Sequence, residues 1–219
     1  MSWLNLEDLL LEPDAGRQVT PELNHAELCQ RALSLAGYWQ AAGVRRIALH
    51  LEDAAELAIA LLAAWQADIQ VLLPADAQPQ TRQRLGAQVD LWVERLDASM
   101  AAAPLPAKRL EREGCRLTLC TSGSSGEPKL IDKHLGQLAN EVQALENLWG
   151  ERLGDARIIG SVAAQHIYGL LFRVLWPLCA GRVFLPRAQP FPEDLQLASL
   201  PHPAFAWITS PALLKRMGD

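Results

Sequence analysis

The sequence predicts an α/β fold, with mostly parallel sheets flanked by helices. Three observations carry that prediction. Short apolar runs alternate with helical patterns along the chain. Gly43, Asp53 and Pro74 sit at the boundaries between them, where helix stops, helix caps and strand ends belong. The apolar fraction, 50% of 219 residues, is large enough to build a sizeable core.

The elements follow in order. Leu23 to Ala42 places Leu28, Ala32, Leu35 and Trp39 at helical spacing, and Gly43 ends that helix. Arg46 to Leu51 reads as a strand. Asp53 can cap the next helix, Ala54 to Gln66, which is apolar on most faces. Ile69 to Leu73 is a second strand stopped by Pro74, Thr81 to Leu85 a short helix, and Val89 to Val93 a third strand. Residues 97–113 are rich in alanine, proline and charge and read as a connector. Beyond it come a strand from Cys115 to Cys120 and a returning strand at Leu130 and Ile131. Leu135, Leu138, Val142, Leu145 and Leu148 mark one face of a helix. Arg157 to Ala163 and Arg182 to Pro186 read as strands around an apolar helix from Tyr168 to Leu178. A helix from Pro192 to Leu200 and a strand from Phe205 to Ile208 complete the pattern. The predicted organisation is two parts of one larger domain, 1–96 and 114–219, joined by 97–113.

Composition narrows the function. The formal net charge is −5 with no long basic run, so nucleic acid is not an expected partner. No uncharged apolar run reaches about 18 residues, so no membrane span is expected. Met1 to Glu12 carries Glu7 and Asp8 without a basic flank, unlike a secretory leader, and a cytoplasmic location is expected. The four cysteines, Cys29, Cys115, Cys120 and Cys179, match no zinc spacing and are expected to be buried free thiols. A catalytic cysteine finds no neighbouring His or Asp in the sequence. The histidines His25, His50, His134 and His202 form no pair with metal-ligand spacing, and the seven tryptophans read mostly as core.

The richest chemistry lies in the run from Leu117 to Lys129. An apolar strand feeds Thr121-Ser122-Gly123-Ser124-Ser125-Gly126-Glu127-Pro128-Lys129. Glycines let backbone approach an anion closely, and successive N–H groups in such a turn can form a nest for phosphate oxygens. The hydroxyls add donors and the lysine a mobile positive charge. The bland reading is a Ser/Gly-rich surface turn. The spacing is not that of the common P-loop, which separates its glycines by four residues and follows with Lys and Ser/Thr.

Thr121 to Lys129 instead resembles the phosphate-loop signature of the adenylate-forming (AMP-binding) enzymes, which include acyl- and aryl-CoA synthetases. The match runs through Lys129 and departs at Leu130, where that signature often has another glycine. Arg46 through Pro74 is similar to the opening sub-domain of these enzymes. Val162 to Leu170 resembles their next motif, with His166 after a strand and Tyr168-Gly169 opening a helix, and Pro177-Leu178 follows. Phe205 to Met217 is similar to the succeeding strand and helix.

The resemblance implies an AMP-forming ligase. ATP and a carboxylic acid would give an acyl-adenylate, and the acyl group would pass to a thiol, either CoA or a carrier protein. Thr121, Ser122, Gly123, Ser124, Ser125, Gly126 and Lys129 would bind the nucleotide, with Mg2+ bridging phosphate oxygens. Lys129 and His166 are the implied catalytic residues, His166 beside the α-phosphate and the acyl carboxylate. The plain alternatives are a solvated Lys129 and a partly buried His166. Family members are about twice this length, so the chain reads as a truncated N-terminal portion, expected to be inactive alone and prone to self-association. The rival reading is a catalytically inactive nucleotide-binding or interaction module of the same fold. Ser122 with His166 invites a hydrolase reading, but no Gly-x-Ser-x-Gly elbow is present.

Overall fold

The computed structural model describes residues 2–121 and 129–216, with Thr121 described by its backbone alone. A 3-10 turn at Leu6–Asp8 leads into a small antiparallel hairpin, β1 (Gln18–Thr20) and β2 (Leu23–Asn24). The hairpin occupies the start of the predicted first helix. α1 therefore begins later, at His25–Ala41, where Asn24 and Glu27 form a reciprocal capping box. Gly43 follows the helix in the left-handed region, with φ +72°.

The main sheet has five strands in the order β5-β3-β4-β6-β7. β3 (Arg46–Leu49), β4 (Gln70–Leu73), β5 (Leu91–Val93) and β6 (Arg116–Thr121) run parallel, and β7 (Lys129–His134) returns antiparallel to β6. This sheet draws its strands from both sides of 97–113.

α2 (Ala54–Gln66) is apolar nearly all round and correspondingly buried nearly all round. It packs on α1, on β3 and β4, and on the helical segment that follows His166. Asp53 caps it through one carboxylate oxygen that accepts from the N–H groups of Ala55 and Glu56. α3 (Pro79–Leu85) starts two residues before the predicted helix, with proline in its first turn.

The connector has no helix or strand of its own apart from turns, yet it is strapped down. Ser34 exchanges hydrogen bonds with the backbone of Ala102, Gln66 donates to the Pro106 carbonyl, and Leu110 N–H donates to Glu7. Arg112 pairs with the buried Glu7 carboxylate at 2.9 Å.

α4 (Leu135–Leu153) buries Leu135, Leu138 and Val142 as predicted, but Leu148 points outward, 68% exposed. The second sheet pairs β8 (Arg157–Gly160) with β9 (Phe205–Ile208) in parallel. The predicted strand at Arg182–Pro186 is reduced to a single bridge between Phe184 and Ile158. Its flanking side chains explain why: Arg182 turns aside to Glu146, and the Leu185 and Pro186 carbonyls accept from Arg173. The predicted strand at 157–163 also ends early, because Ser161 to His166 form a loop.

After that loop come α5 (Ile167–Gly169), a π-helical turn (Leu170–Leu175) and α6 (Trp176–Ala180), which ends at Gly181. α7 (Pro192–Ser199) and α8 (Pro211–Leu214) flank β9. One apolar cluster runs from Leu6 through α2 to Trp176 and Ile208. Trp39, Trp65 and Trp176 are buried in it, whereas Trp149 is 42% exposed.

Candidate active site

Parallel α/β sheets present their ligand sites at the carboxyl ends of their strands, where loops and helix starts converge. Among the described residues, Thr121, Lys129 and His166 fall near such ends. Thr121 is the last residue of β6 and Lys129 the first of β7, and the two are register partners at the end of the ladder. In sequence, the seven residues between them follow the carboxyl end of a parallel strand. Ser122, Gly123, Ser124, Ser125 and Gly126 lie outside the described residues. Lys129 is exposed at the strand start.

His166 lies at a second carboxyl end. The loop after β8 carries it to the N-cap position of α5, in extended backbone conformation, with its side chain exposed and making no capping bond. Its carbonyl accepts from Leu170 N–H at 2.7 Å, so the helix is started by backbone alone. The glycine of Tyr168-Gly169 has a steric cause: a Cβ there would fall 2.0 Å from the Ala163 carbonyl oxygen. Glycine lets the helix lie directly on the loop that leads to His166.

Beside this loop is an open polar cleft of about 820 Å³, lined by His50, Asp53, Glu56, Ser161, Gln165 and Arg187 among others. Gln165 and His50 are joined at 3.2 Å, and Ala54 N–H donates to the Pro186 carbonyl. The carboxyl ends of β3 and β8 therefore face one space. Sequence reasoning missed His50 and Gln165; the signal was that each directly follows a strand or its loop. Gln165 is buried, and among the described residues its amide oxygen has no hydrogen-bond partner.

Tyr168 of α5, with Phe172, Trp149, Trp176 and Trp207, forms an apolar groove of about 400 Å³. The Tyr168 and Phe172 rings are 4.8 Å apart. Tyr168 hydroxyl donates to the Thr209 carbonyl at 3.5 Å, and Ser161 to the Thr209 hydroxyl at 2.8 Å. Burial pushes the Tyr168 phenol above its ordinary range.

The cysteines are resolved plainly. All four are free and buried. Contrary to the sequence reading, Cys29 does have a histidine neighbour: its Sγ lies 3.5 Å from His25 Nε2. The pair is not a nucleophile and base. His25 Nδ1 accepts from Asp14 N–H, which leaves the proton on Nε2 to donate to the Leu9 carbonyl at 2.8 Å. The Cys29 thiol donates to the same carbonyl, and burial pushes its pKa up to about 12. A thiolate is the reactive form, and this site disfavours it. Among the described residues, no group of three or more His, Cys, Asp or Glu side chains could hold a metal ion. No helix among them is long and apolar enough to cross a membrane.

No family model matches the sequence. A 4-coumarate–CoA ligase of Cereibacter sphaeroides is 37% identical over 67 residues, which is 30% of this chain and 16% of that protein. Among solved structures, a Brucella canis acyl-CoA synthetase matches 98% of this chain and 49% of its own, with TM-score 0.75 and 17% identity. ATP-bound MatB from Rhodopseudomonas palustris matches 97% of this chain and 50% of its own, with TM-score 0.75 and 20% identity. The chain has an adenylate-forming, acyl-CoA synthetase-like fold, matching the N-terminal domain of those enzymes. It spans about half the length of these solved structures.

Proposed function

We propose that this chain is the N-terminal part of an AMP-forming acyl- or aryl-CoA synthetase-like ligase. ATP and a carboxylic acid form an acyl-adenylate and pyrophosphate, and the acyl group passes to the thiol of CoA or a carrier protein. The observation that carries this reading is the placement of Thr121 and Lys129. They bracket the Ser/Gly-rich segment that follows the carboxyl end of a parallel strand, in a fold shared with an ATP-bound enzyme.

The chemistry asked of the site is charge neutralisation and alignment, because a carboxylate must attack an anionic α-phosphate. The hydroxyls and amides of 121–126 hold phosphate oxygens, and Lys129 offsets their charge. Mg2+ would sit on the phosphate oxygens of the nucleotide. His166, exposed at the mouth of its loop, approaches the reacting carboxylate, and the aromatic groove beside Tyr168 suits an apolar or aromatic acid. Adenylation then needs the other half of the fold, and this chain alone binds nucleotide without turning over. The exposed apolar side chains of Phe205, Leu200 and Leu214 around β9 favour self-association.

Two measurements on the chain test this. ATP binding followed by calorimetry should weaken roughly tenfold in K129A with the unfolding midpoint unchanged, as for loss of one charge-assisted contact at an exposed side chain. Equal ATP affinity in wild type and K129A sinks the phosphate-loop reading. Acid-dependent ATP–pyrophosphate exchange should be absent from the isolated chain and present when the other half is supplied. Nucleotide binding with no exchange in either case favours the inactive module.

A further inference from the structure

Arg173 is the one charged residue inside the apolar helical segment that follows His166, and it is 1% exposed. An arginine carries five N–H donors and cannot be buried cheaply without partners for them. Its partners here are all main chain. One terminal nitrogen donates to the Val162 carbonyl, the other to the carbonyls of Leu185 and Pro186, each at 3.3 Å. Among the described residues no carboxylate forms an ion pair with it; Asp53 acts on it only from longer range. Burial lowers its pKa to about 10, which leaves it charged at neutral pH.

The three carbonyls lie on the two segments that flank the polar cleft, next to residues that line it. Val162 lies between Ser161 and Ala163, which line it. Leu185 and Pro186 precede Arg187, which also lines it, and the Pro186 carbonyl accepts from Ala54 N–H at the start of α2. The stem is held as closely as the head: a Cβ on Gly160, the last residue of β8, would fall 2.3 Å from Arg173 Cδ. Arg173 also sits in the π-helical turn, a helix irregularity that collects at functional sites.

We propose that Arg173 is a positioning residue: its guanidinium, acting through the Val162, Leu185 and Pro186 carbonyls, sets the loop that carries His166 and fixes the span of the cleft. The functional meaning of His166 rests on the ligase reading, but the positioning itself does not. The fork geometry matters, because it aims two separate nitrogens at two segments, whereas a lysine ammonium presents its donors from one point.

The test is amide hydrogen exchange on the whole chain, read by mass spectrometry, for wild type, R173M, R173K and G160A. R173M should raise exchange in 161–166 and 184–189 roughly tenfold or more, while β3 and α1 change far less. R173K keeps the charge and should recover the fold but not the local protection. G160A displaces the arginine stem from the opposite side and should give the same local pattern, which keeps the test valid if R173M does not fold. The His166 ring resonances should shift in each variant. A uniform rise across the chain, unchanged exchange in 161–166, or full rescue by R173K overturns the proposal. None of these readouts needs nucleotide, so failure here leaves the ligase reading standing, and a failed exchange assay leaves this one standing.

Discussion

Arg182 grips the Glu146 carboxylate with both terminal nitrogens, at 2.6 and 3.1 Å, and Trp176 donates to the same carboxylate at 2.6 Å. Arg182 is almost fully buried and its guanidinium lies 5.2 Å from the Trp176 ring centroid. Its remaining donors reach the Gly154 and Gly150 carbonyls near the end of α4. One cluster thus ties α4 to α6 and to the chain just beyond Gly181. Partial burial pushes the Glu146 carboxyl upward, but the bonds from Arg182 and Trp176 outweigh it, and the net shift is downward.

That direction gives a signed prediction. A folded-state pKa below the unfolded value means that the unfolded chain binds the proton first as pH falls. The stability from this cluster is therefore complete above the ordinary glutamate range near 4.3 and is lost as pH falls through the folded value. E146A should cost about 2–4 kcal/mol at pH 7, since it strands a buried guanidinium. Urea denaturation at pH 7 and near pH 3 measures both; a penalty for E146A that stays the same at the two pH values contradicts the assignment.

The thiols give a second prediction. Burial pushes Cys115 and Cys120 up to about 11 and Cys29 to about 12, with Cys179 shifted in the same direction. Native protein at pH 8 should leave essentially all thiols unreacted with a disulfide reagent, and denaturant should release all four. Rapid native labelling of Cys29 would show that its contact with His25 activates it.

His25 supplies the third. Burial is the main cause of its lowered pKa, so the folded state holds it neutral. Stability from this site is present above the ordinary histidine value near 6.5 and declines as pH falls toward the folded value. H25F should be less stable than wild type at pH 8 because Asp14 N–H loses its acceptor and the Leu9 carbonyl keeps only the weaker Cys29 thiol as donor. The deficit should narrow by pH 5. A deficit that widens with acid contradicts a neutral His25.

These features differ in how far the sequence reveals them. α2 was readable to the residue because Asp53 caps it and its burial is local in cause. The β6–β7 hairpin was readable because an apolar run precedes, and a short one follows, a turn-rich segment. The strand at Arg182–Pro186 was overread, because its apolar residues serve a single bridge while Arg182 answers to Glu146 in α4. The His25–Cys29 contact was available in principle, since residues four apart on a helix meet. So was Arg173, a lone charge in an apolar helix, but its carbonyl partners lie on other segments that no local pattern names. The polar cleft was invisible for the same reason: His50 and Gln165 are joined only by the way two sheets come together.

Asp53 separates a local role from a long-range one. D53A removes the acceptor for two N–H groups at the start of α2 and should cost about 1 kcal/mol, with D53S recovering most of it. If the longer-range attraction to Arg173 matters as well, D53S and D53N, which both keep a cap but lack the charge, should remain less stable than wild type at pH 7, and added salt should not close the gap, because the guanidinium is buried. Chemical denaturation of the three variants decides; equal values for D53S, D53N and D53A would remove the cap as a stabilising element.

His166 is where the structural and chemical readings can be separated most cleanly. Its side chain is exposed and makes no capping bond, and the hydrogen bond that starts α5 uses its backbone carbonyl, which any residue supplies. H166A should therefore leave the stability of this chain within about 0.5 kcal/mol of wild type. In a ligase that joins this chain to the other half of the fold, the same substitution should lower the rate of adenylate formation while ATP affinity stays nearly constant. A group that meets the reacting carboxylate acts on the transition state more than on the ground state. Loss of a single such group typically slows a reaction by roughly 10²–10³. A stability loss above about 1 kcal/mol, or a fall in ATP affinity that matches the fall in rate, would show that His166 serves packing or nucleotide binding.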